Sequence, residues 1–284
     1  MDDNLVMHWL KREDIALKTI SYAQNHEDIL LARVFPDQRG MYIDVGANHP
    51  IFHSVTKLFS DRGWTGINVE PSPPVFDRLK LDRPNDVNLN VGVGDEVATL
   101  TFFESPDYHG WSTFLLELAQ HYQKIGVRVN QRSVPVTTLA RICAEHVGDR
   151  TIDFLKVDAE GFEHQVLLGA DFRTWRPRVL VVENAWTEVW EPLVFGADYL
   201  FAAFDGINRF YVRREDEALL GPLKATVNIL DNFVPYEYVR LIDQLNEQAA
   251  AKRSFLDAMR RDGRRIARRL RKVAGRLAGR RAAG

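Results

Sequence analysis

Short apolar runs alternate with stretches in which apolar residues return every three or four positions, and that alternation carries most of the chain. Met41 to Val45 is an apolar run with one acid near its end. It breaks at Gly46, after which Ile51, Val55, Leu58 and Phe59 recur at helix-face intervals, so the pattern predicts strand, tight turn and a helix over 51–61. Arg62-Gly63-Trp64 closes that helix, Thr65 to Glu70 reads as a second strand, and a helix is expected over 73–82. Asp86 to Gly92 is a third strand, Val97 to Glu104 alternates as another, and 114–125 looks helical; Ser133 to Thr137 is extended and 138–147 helical. Ile152 to Asp158 is strand four, followed by a helix whose Phe162, Val166, Leu167 and Ala170 share a face. Arg178 to Val182 is nearly all apolar, as a strand covered on both faces should be. Leu200 to Phe204 and Phe210 to Arg213 frame Asp205-Gly206-Ile207-Asn208, a hairpin signal. Strands alternating with helices and closed by a hairpin predict an α/β fold, with a mostly parallel sheet, one antiparallel strand and helices on both faces.

The two ends depart from this rhythm. Residues 1–30 read as helical, and Ser21 to Asp28 is denser in hydrogen-bonding groups than a surface helix needs. Asn228 to Tyr238 has no clear period. A long helical pattern follows, interrupted at Gly263, in which Ile266, Leu270, Val273 and Leu277 form a stripe ringed by arginines such as Arg264, Arg265, Arg268 and Arg269. The expected organisation is an N-terminal helical segment (1–36), a sheet domain (37–225), a connecting segment (226–251) and a basic helical tail (252–284).

Charge sharpens that division. The net charge is −2, yet residues 252–284 hold thirteen Lys or Arg against two Asp, which leaves 24 basic and 37 acidic residues in the rest. An acidic body does not favour nucleic acid, so none is expected as partner. The tail suits a solvated linker helix, a coiled-coil arm or an anionic membrane surface. No run of 18 uncharged apolar residues occurs and the first ten residues lack a signal-peptide core, so a cytoplasmic protein is expected, peripheral at the inner face of the membrane if the tail binds lipid. Cys143 is the only cysteine, which excludes an intrachain disulfide and a cysteine-rich metal site.

The candidate chemistry gathers where strands end. A ligand over Gly46 would meet backbone N–H groups and a glycine that lets it approach the main chain. Gly46-Ala47-Asn48 lacks the three-glycine spacing of a dinucleotide pyrophosphate site, so a ligand without pyrophosphate fits better. Glu70 ends strand two, placed to accept hydrogen bonds from ribose hydroxyls. Asp158 and Glu160 follow strand four; Glu183 and Asn184 follow strand five. The loop 105–113, rich in Gly, Pro, His and aromatics, is a candidate for acceptor binding.

Asp44-Val45-Gly46-Ala47-Asn48, Asn68-Val69-Glu70-Pro71, Val134 to Leu139 and Asp153 to Glu163 resemble successive signatures of the FkbM family of S-adenosylmethionine-dependent methyltransferases, in order and at suitable spacing. The resemblance runs from about Tyr22 to Arg213, most of the chain. Ser21 to Asp28 and Phe204 to Val212 also resemble the branch found with glycan-building enzymes. The tail lies outside it, and Ala159 stands where the family more usually has a β-branched residue.

The resemblance implies a Rossmann-like class I methyltransferase fold with a seven-stranded sheet, and S-adenosyl-L-methionine as cofactor. Asp44 and the Gly46 turn would hold its methionine end, with Asn48 beside them; Glu70 would take the ribose; Asn90 to Gly92, with Asp95 beyond, would border the adenine. The expected reaction is O-methylation of a carbohydrate in a surface glycan or a glycosylated metabolite. Methyl transfer from a sulfonium is an in-line displacement, helped by a base on the acceptor hydroxyl. Asp158, His49 and Glu160 are the catalytic candidates, although His49 also suits a helix cap and Glu160 a helix-dipole partner. His109, Ser112, Lys156 and Asn184 are the acceptor-binding candidates. A Mg²⁺ variant, not favoured, would use Asp158, Glu183 and Asn184, an arrangement resembling catechol-type O-methyltransferases. The competing readings are a nicotinamide-dependent oxidoreductase on a similar sheet and a noncatalytic scaffold recruited by the tail.

Overall fold

The computed structural model describes residues 15, 17–36, 39–184 and 188–281, of which 263 and 266–281 by their backbone alone. Half of the stretch expected to be helical over 1–30, residues 1–14 and 16, lies outside the described residues. Two compact units are distinguished: Thr19–Phe233, and Met1–Lys18 with Val234–Gly284.

In chain order the larger unit contains β1 (Thr19–Ser21), α1 (Glu27–Val34), β2 (Met41–Val45), α2 (Lys57–Asp61), β3 (Thr65–Val69), α3 (Pro73–Asp82), β4 (Val87–Leu89), β5 (Gly92–Gly94) and β6 (Ala98–Glu104). It continues with α4 (Leu116–Lys124), β7 (Asn130–Thr138), α5 (Leu139–His146), β8 (Phe154–Val157), α6 (Glu163–Leu168) and β9 (Val179–Glu183). It ends with α7 (Glu191–Gly196), β10 (Tyr199–Phe204), β11 (Asn208–Arg213) and α8 (Leu220–Lys224). Seven strands form one sheet in the order β10-β11-β9-β8-β2-β3-β4. β2, β3, β4, β8 and β9 run parallel, and β11 is antiparallel to both its neighbours. The predicted seven-stranded sheet with one antiparallel member is present.

Alternation along each strand explains the two cores. Ile43, Val45, Leu155, Val157, Leu180 and Val182 point to one face, against Leu139, Ile142, Val166 and Trp190. Tyr42, Phe154, Val179 and Val181 point to the other, against Leu30, Leu31, Phe59 and Trp64. With both faces covered the central strands have no polar side, which is why they read as continuous apolar runs. Each large side chain so buried contributes about 1.5–3 kcal/mol.

Three local expectations change. The helix expected over 51–61 begins only at Lys57; the stretch between is turns, so no helix N-terminus stands over Gly46. The third strand is cut short: β4 stays in the main sheet, while β5 joins β7 and β6 in a separate three-stranded sheet. Residues 19–21 are strand, and the turn at 22–26 that leads into α1 is held by side-chain bonds. The Asp28 carboxylate accepts from the Ser21 hydroxyl at 2.7 Å and from the N–H groups of Tyr22, Ala23 and Ile29. Glu27 accepts from the Asn208 amide at 2.7 Å, so the polar segment is tied to the hairpin turn 205–208.

In the smaller unit, α9 (Tyr236–Arg281) is one helix that passes through Gly263 without interruption. Among the described residues no helix is long and apolar enough to cross a membrane.

Candidate functional site

The chain leaves β2 to build β3 on one side and later β8 on the other, so the sheet reverses its order at β2 and a crevice opens at the strands' carboxyl ends. Gly46, Glu70, Asp158 and Glu183 stand at the ends of β2, β3, β8 and β9. Two adjoining cavities lie there, sharing Gly46, Asn48, His109, Gly110, Asp158 and Glu160.

The smaller cavity is lined by Glu70, Val91, Gly92, Phe102, Ser112 and Phe114 besides the shared residues. Glu70 is buried, and its carboxylate accepts from the Asn48 N–H at 3.0 Å and the Ser72 N–H at 2.7 Å. Burial pushes its carboxyl up to about 7, against the pull of those two N–H groups. Two lone pairs remain for a ligand, since an ionised carboxylate offers about four acceptor sites.

Gly46 is needed for a reason the sequence does not display. Its φ is +77°, and a Cβ there would lie 1.8 Å from the backbone oxygen of Asp158; the glycine lets the end of β8 close on the turn. The N–H groups of Gly46 and Ala47 are spent on the Val69 carbonyl, so the turn does not present the free donors expected of it. Asn48 and Glu160 are non-glycine residues with φ of +48° and +50°, and both face the cavities. Backbone strain of about 1–3 kcal/mol at each is the kind of cost that persists where a site requires the conformation.

The wider cavity, about 750 Å³, is lined by Asp44, Lys156, Asp158, Glu160, Glu183 and Asn184 on one side and by Tyr108, Trp111 and Tyr122 on another. Asp158, Glu160 and Glu183 each offer an oxygen within 4.8 Å of the others. The buried Lys156 ammonium donates to Asp158 at 2.6 Å. Burial works against that lysine's charge, but Asp158 and Asp44 outweigh it and raise its pKa. Glu160 and Glu183 are held well above the usual carboxylate range, by burial first and then by the negative charge of Asp158. Burial likewise raises Asp44, whose second oxygen accepts from the Thr56 hydroxyl at 2.7 Å. Across this cavity run three near-parallel rings: Tyr108 and Trp111 stack at 5.1 Å and 25°, Trp111 and Tyr122 at 5.1 Å and 24°.

Most sequence candidates meet here, and some do not. Gly46, Asn48, Glu70 and Gly92 line the smaller cavity, Asp44 the wider one. Asn90 lies outside both linings; its amide is spent on the carbonyls of Glu70 and Pro71. Asp95 is exposed and away from the cavities. His49 is not brought in either. Its Nδ1 accepts from the Ile51 and Phe52 N–H groups at 3.1 Å each, which places the proton of the neutral ring on Nε2 and leaves no lone pair to act as a base. Burial also lowers its pKa. Glu160 is not the helix-dipole partner: Glu163 takes that part, accepting from the N–H groups of Ala159 and Gly161. His109 borders both cavities, Lys156 and Asn184 the wider one, and Ser112 the smaller one rather than the acceptor side. Of the Mg²⁺ candidates, Asp158 and Glu183 come together with Glu160 in a three-carboxylate cluster, and Asn184 lines the same cavity.

Phe102, Phe114 and Tyr122 were missed. They come from β6, from the loop before α4 and from α4 itself, all between β5 and β7 in the chain; only the aromatic richness of 105–113 hinted at such a wall.

The family model of the methyltransferase FkbM domain matches residues 44–212. The methyltransferase sdnD of Sordaria araneosa is 27% identical over 179 residues, 53% of this chain and 66% of that protein, so the match spans just under two-thirds of that relative. Among solved structures, a TehB-like SAM-dependent methyltransferase of Corynebacterium glutamicum aligns over 75% of this chain and 97% of its own, at 10% identity and a TM-score of 0.38. The O-methyltransferase of Bacillus cereus, in complex with SAH, aligns over 74% and 96%, at 12% identity and a TM-score of 0.31.

Proposed function

The chain belongs to the methyltransferase FkbM family, whose methyl donor is S-adenosyl-L-methionine, and on that premise we propose that it methylates a hydroxyl oxygen of a carbohydrate. In this reading the smaller cavity takes the nucleoside, with Glu70 on the ribose hydroxyls and the apolar Val91, Phe102 and Phe114 against the base. The methionine end lies by the Gly46 turn, near Asp44. The wider cavity receives the acceptor.

The acceptor class rests on one observation, the unpaired buried polar atoms of the wider cavity. Asp44 Oδ1, His109 Nδ1, Glu183 Oε2 and Asn184 Oδ1 are buried without a hydrogen-bond partner among the described residues, and all four residues line it. A buried polar atom left unpaired costs about 1–3 kcal/mol, so the fitting ligand is rich in hydrogen-bonding groups. On the same lining Tyr108 and Trp111 keep 55% and 40% of their area exposed, an apolar surface. A sugar ring offers both, with hydroxyls at its rim and C–H groups on its faces.

When bound, the donor supplies an activated methyl group, and the protein's part is alignment and handling of the hydroxyl proton. Asp158, ending β8 between the two cavities, is the group we assign to the acceptor hydroxyl, held by the Lys156 ammonium. The three carboxylates also fit a hard divalent cation such as Mg²⁺, being oxygen donors close enough to share one ion. Asp158, Glu160 and Glu183 would hold it, and its chemistry would be to lower the acceptor's pKa. Full turnover after thorough chelation ends the metal reading. For the acceptor, the protein is incubated with labelled donor and separate panels of glycans, catechols and hydroxy acids, and the products are read by mass spectrometry. Label on a sugar oxygen is expected; label confined to the other panels overturns the carbohydrate reading.

A further inference from the structure

Helix α9 runs for 46 residues, about 69 Å at 1.5 Å per residue, and it carries a pattern the methyltransferase site does not use. From Tyr238 one series of its apolar positions, with Leu241 and Phe255 beside it, falls at intervals that alternate four and three: Ile242, Leu245, Ala249, then Leu256 and Met259 after Lys252. In sequence the same alternation continues past Gly263 through Ile266, Leu270, Val273 and Leu277 without a slip. Only Lys252 and Gly263 interrupt it. A helix lying on a broad apolar surface or on lipid keeps a 3.6-residue period and a wide face. A strict 3.5-residue period instead keeps a narrow seam turned toward a helix that supercoils with it. Before Gly263 that seam faces solvent at Tyr238, Leu245, Leu256 and Met259, which are 56%, 41%, 44% and 57% exposed.

We infer that α9 is one half of an antiparallel coiled coil whose other half is α9 of a second copy of this chain. The helix is complementary to its own reverse. Turned end for end about the point between Asp257 and Ala258, every seam position comes level with another: Leu256 with Met259, Ala249 with Ile266, Leu245 with Leu270 and Ile242 with Val273. The two interruptions also meet, Lys252 with Gly263, so the lysine stem faces the one position that leaves it room. Small positions oppose large ones, which a parallel pair, setting Ala249 on Ala249 and Gly263 on Gly263, does not achieve. Charges agree as well. Beside the seam Arg253 is level with Asp262 and Phe255 with Arg260, while Asp243 and Glu247 come level with Lys272 and Arg268. A parallel pair would instead set the two basic halves, thirteen Lys or Arg against two Asp in each, side by side.

Sedimentation equilibrium of the full chain tests the pairing. Twice the chain mass is expected, falling to the chain mass in Leu256→Asp/Met259→Asp, with S-adenosylhomocysteine affinity the same in both. Orientation is read by mixing a Tyr238→Cys chain with a Leu277→Cys chain under mild oxidation; the native Cys143 is buried. A disulfide-linked pair is expected from the mixture and from neither chain alone. A wild-type chain that sediments as a monomer overturns the inference, and does so for lipid if that monomer co-sediments with phosphatidylserine vesicles. A double variant that remains dimeric overturns it too, and cross-linking of Tyr238→Cys with itself overturns the antiparallel arrangement.

Discussion

Replacing Glu70 by glutamine removes a charge while nearly preserving shape, and its consequences can be worked out contact by contact. One oxygen accepts from the Asn48 N–H and the other from the Ser72 N–H. The variant's amide nitrogen must face one of these donors, so one charge-assisted bond is lost, about 1.5–3 kcal/mol. In a unit of this size that lowers Tm by about 3–12 °C. Cofactor binding suffers separately. If both ribose hydroxyls donate to the carboxylate, trading a charged acceptor for a neutral one removes about 2–3 kcal/mol, roughly 30- to 150-fold in Kd. Isothermal titration calorimetry with S-adenosylhomocysteine, below the variant's Tm, measures it. The wild type adds a pH signature. Its Glu70 carboxyl is pushed up to about 7 by burial, and ribose donors favour the ionised form, so affinity should tighten as pH rises from 6 to 8 and stay flat in Glu70→Gln. A variant Kd within about threefold of wild type, with the pH slope intact, refutes the placement of the ribose on Glu70.

Gly46→Ala should destabilise the protein by at least about 2 kcal/mol, read by urea unfolding, because an L-residue at φ +77° meets the Asp158 backbone oxygen; a neutral result would mean that β8 does not close on the turn. Asp158→Asn should lower turnover far more than S-adenosylhomocysteine affinity, and a parallel fall in both would move Asp158 into the cofactor site. Burial raises the carboxyls of Glu27 to about 7 and Asp28 to about 6. Each therefore holds its proton more tightly folded than unfolded, folding takes up protons between about pH 4 and 7, and their contribution to stability is lost as pH rises through that window. Glu27→Gln should flatten the decline of Tm between pH 5 and 8, and an unchanged slope would refute the assignment.

Alternating apolar runs and helix-spaced positions were enough for a mostly parallel sheet with one antiparallel strand, because a strand buried on both faces and a helix buried on one must repeat with different periods whatever their neighbours are. Strand ends were equally legible, and with them Glu70, Asp158 and Glu183. Partners distant in the chain were not. The density of hydrogen-bonding groups from Ser21 to Asp28 was visible, but only the tertiary structure shows the segment bonded to the hairpin turn through Glu27 and Asn208, 181 residues apart, with Gln24 and Gly206 on the lining of the wider cavity. His49 looked like a base until folding turned its Nδ1 onto the backbone of its own loop. The Gly46 turn announced itself locally, yet its glycine answers to Asp158, which pairs with it only because β2 and β8 are neighbours in the sheet. Local periodicity determines which elements form, since propensity and amphipathicity act over a few residues. Which side chains face one another at a site is decided by strand order and by the loops that fold across it, and those distances exist only in the assembled fold.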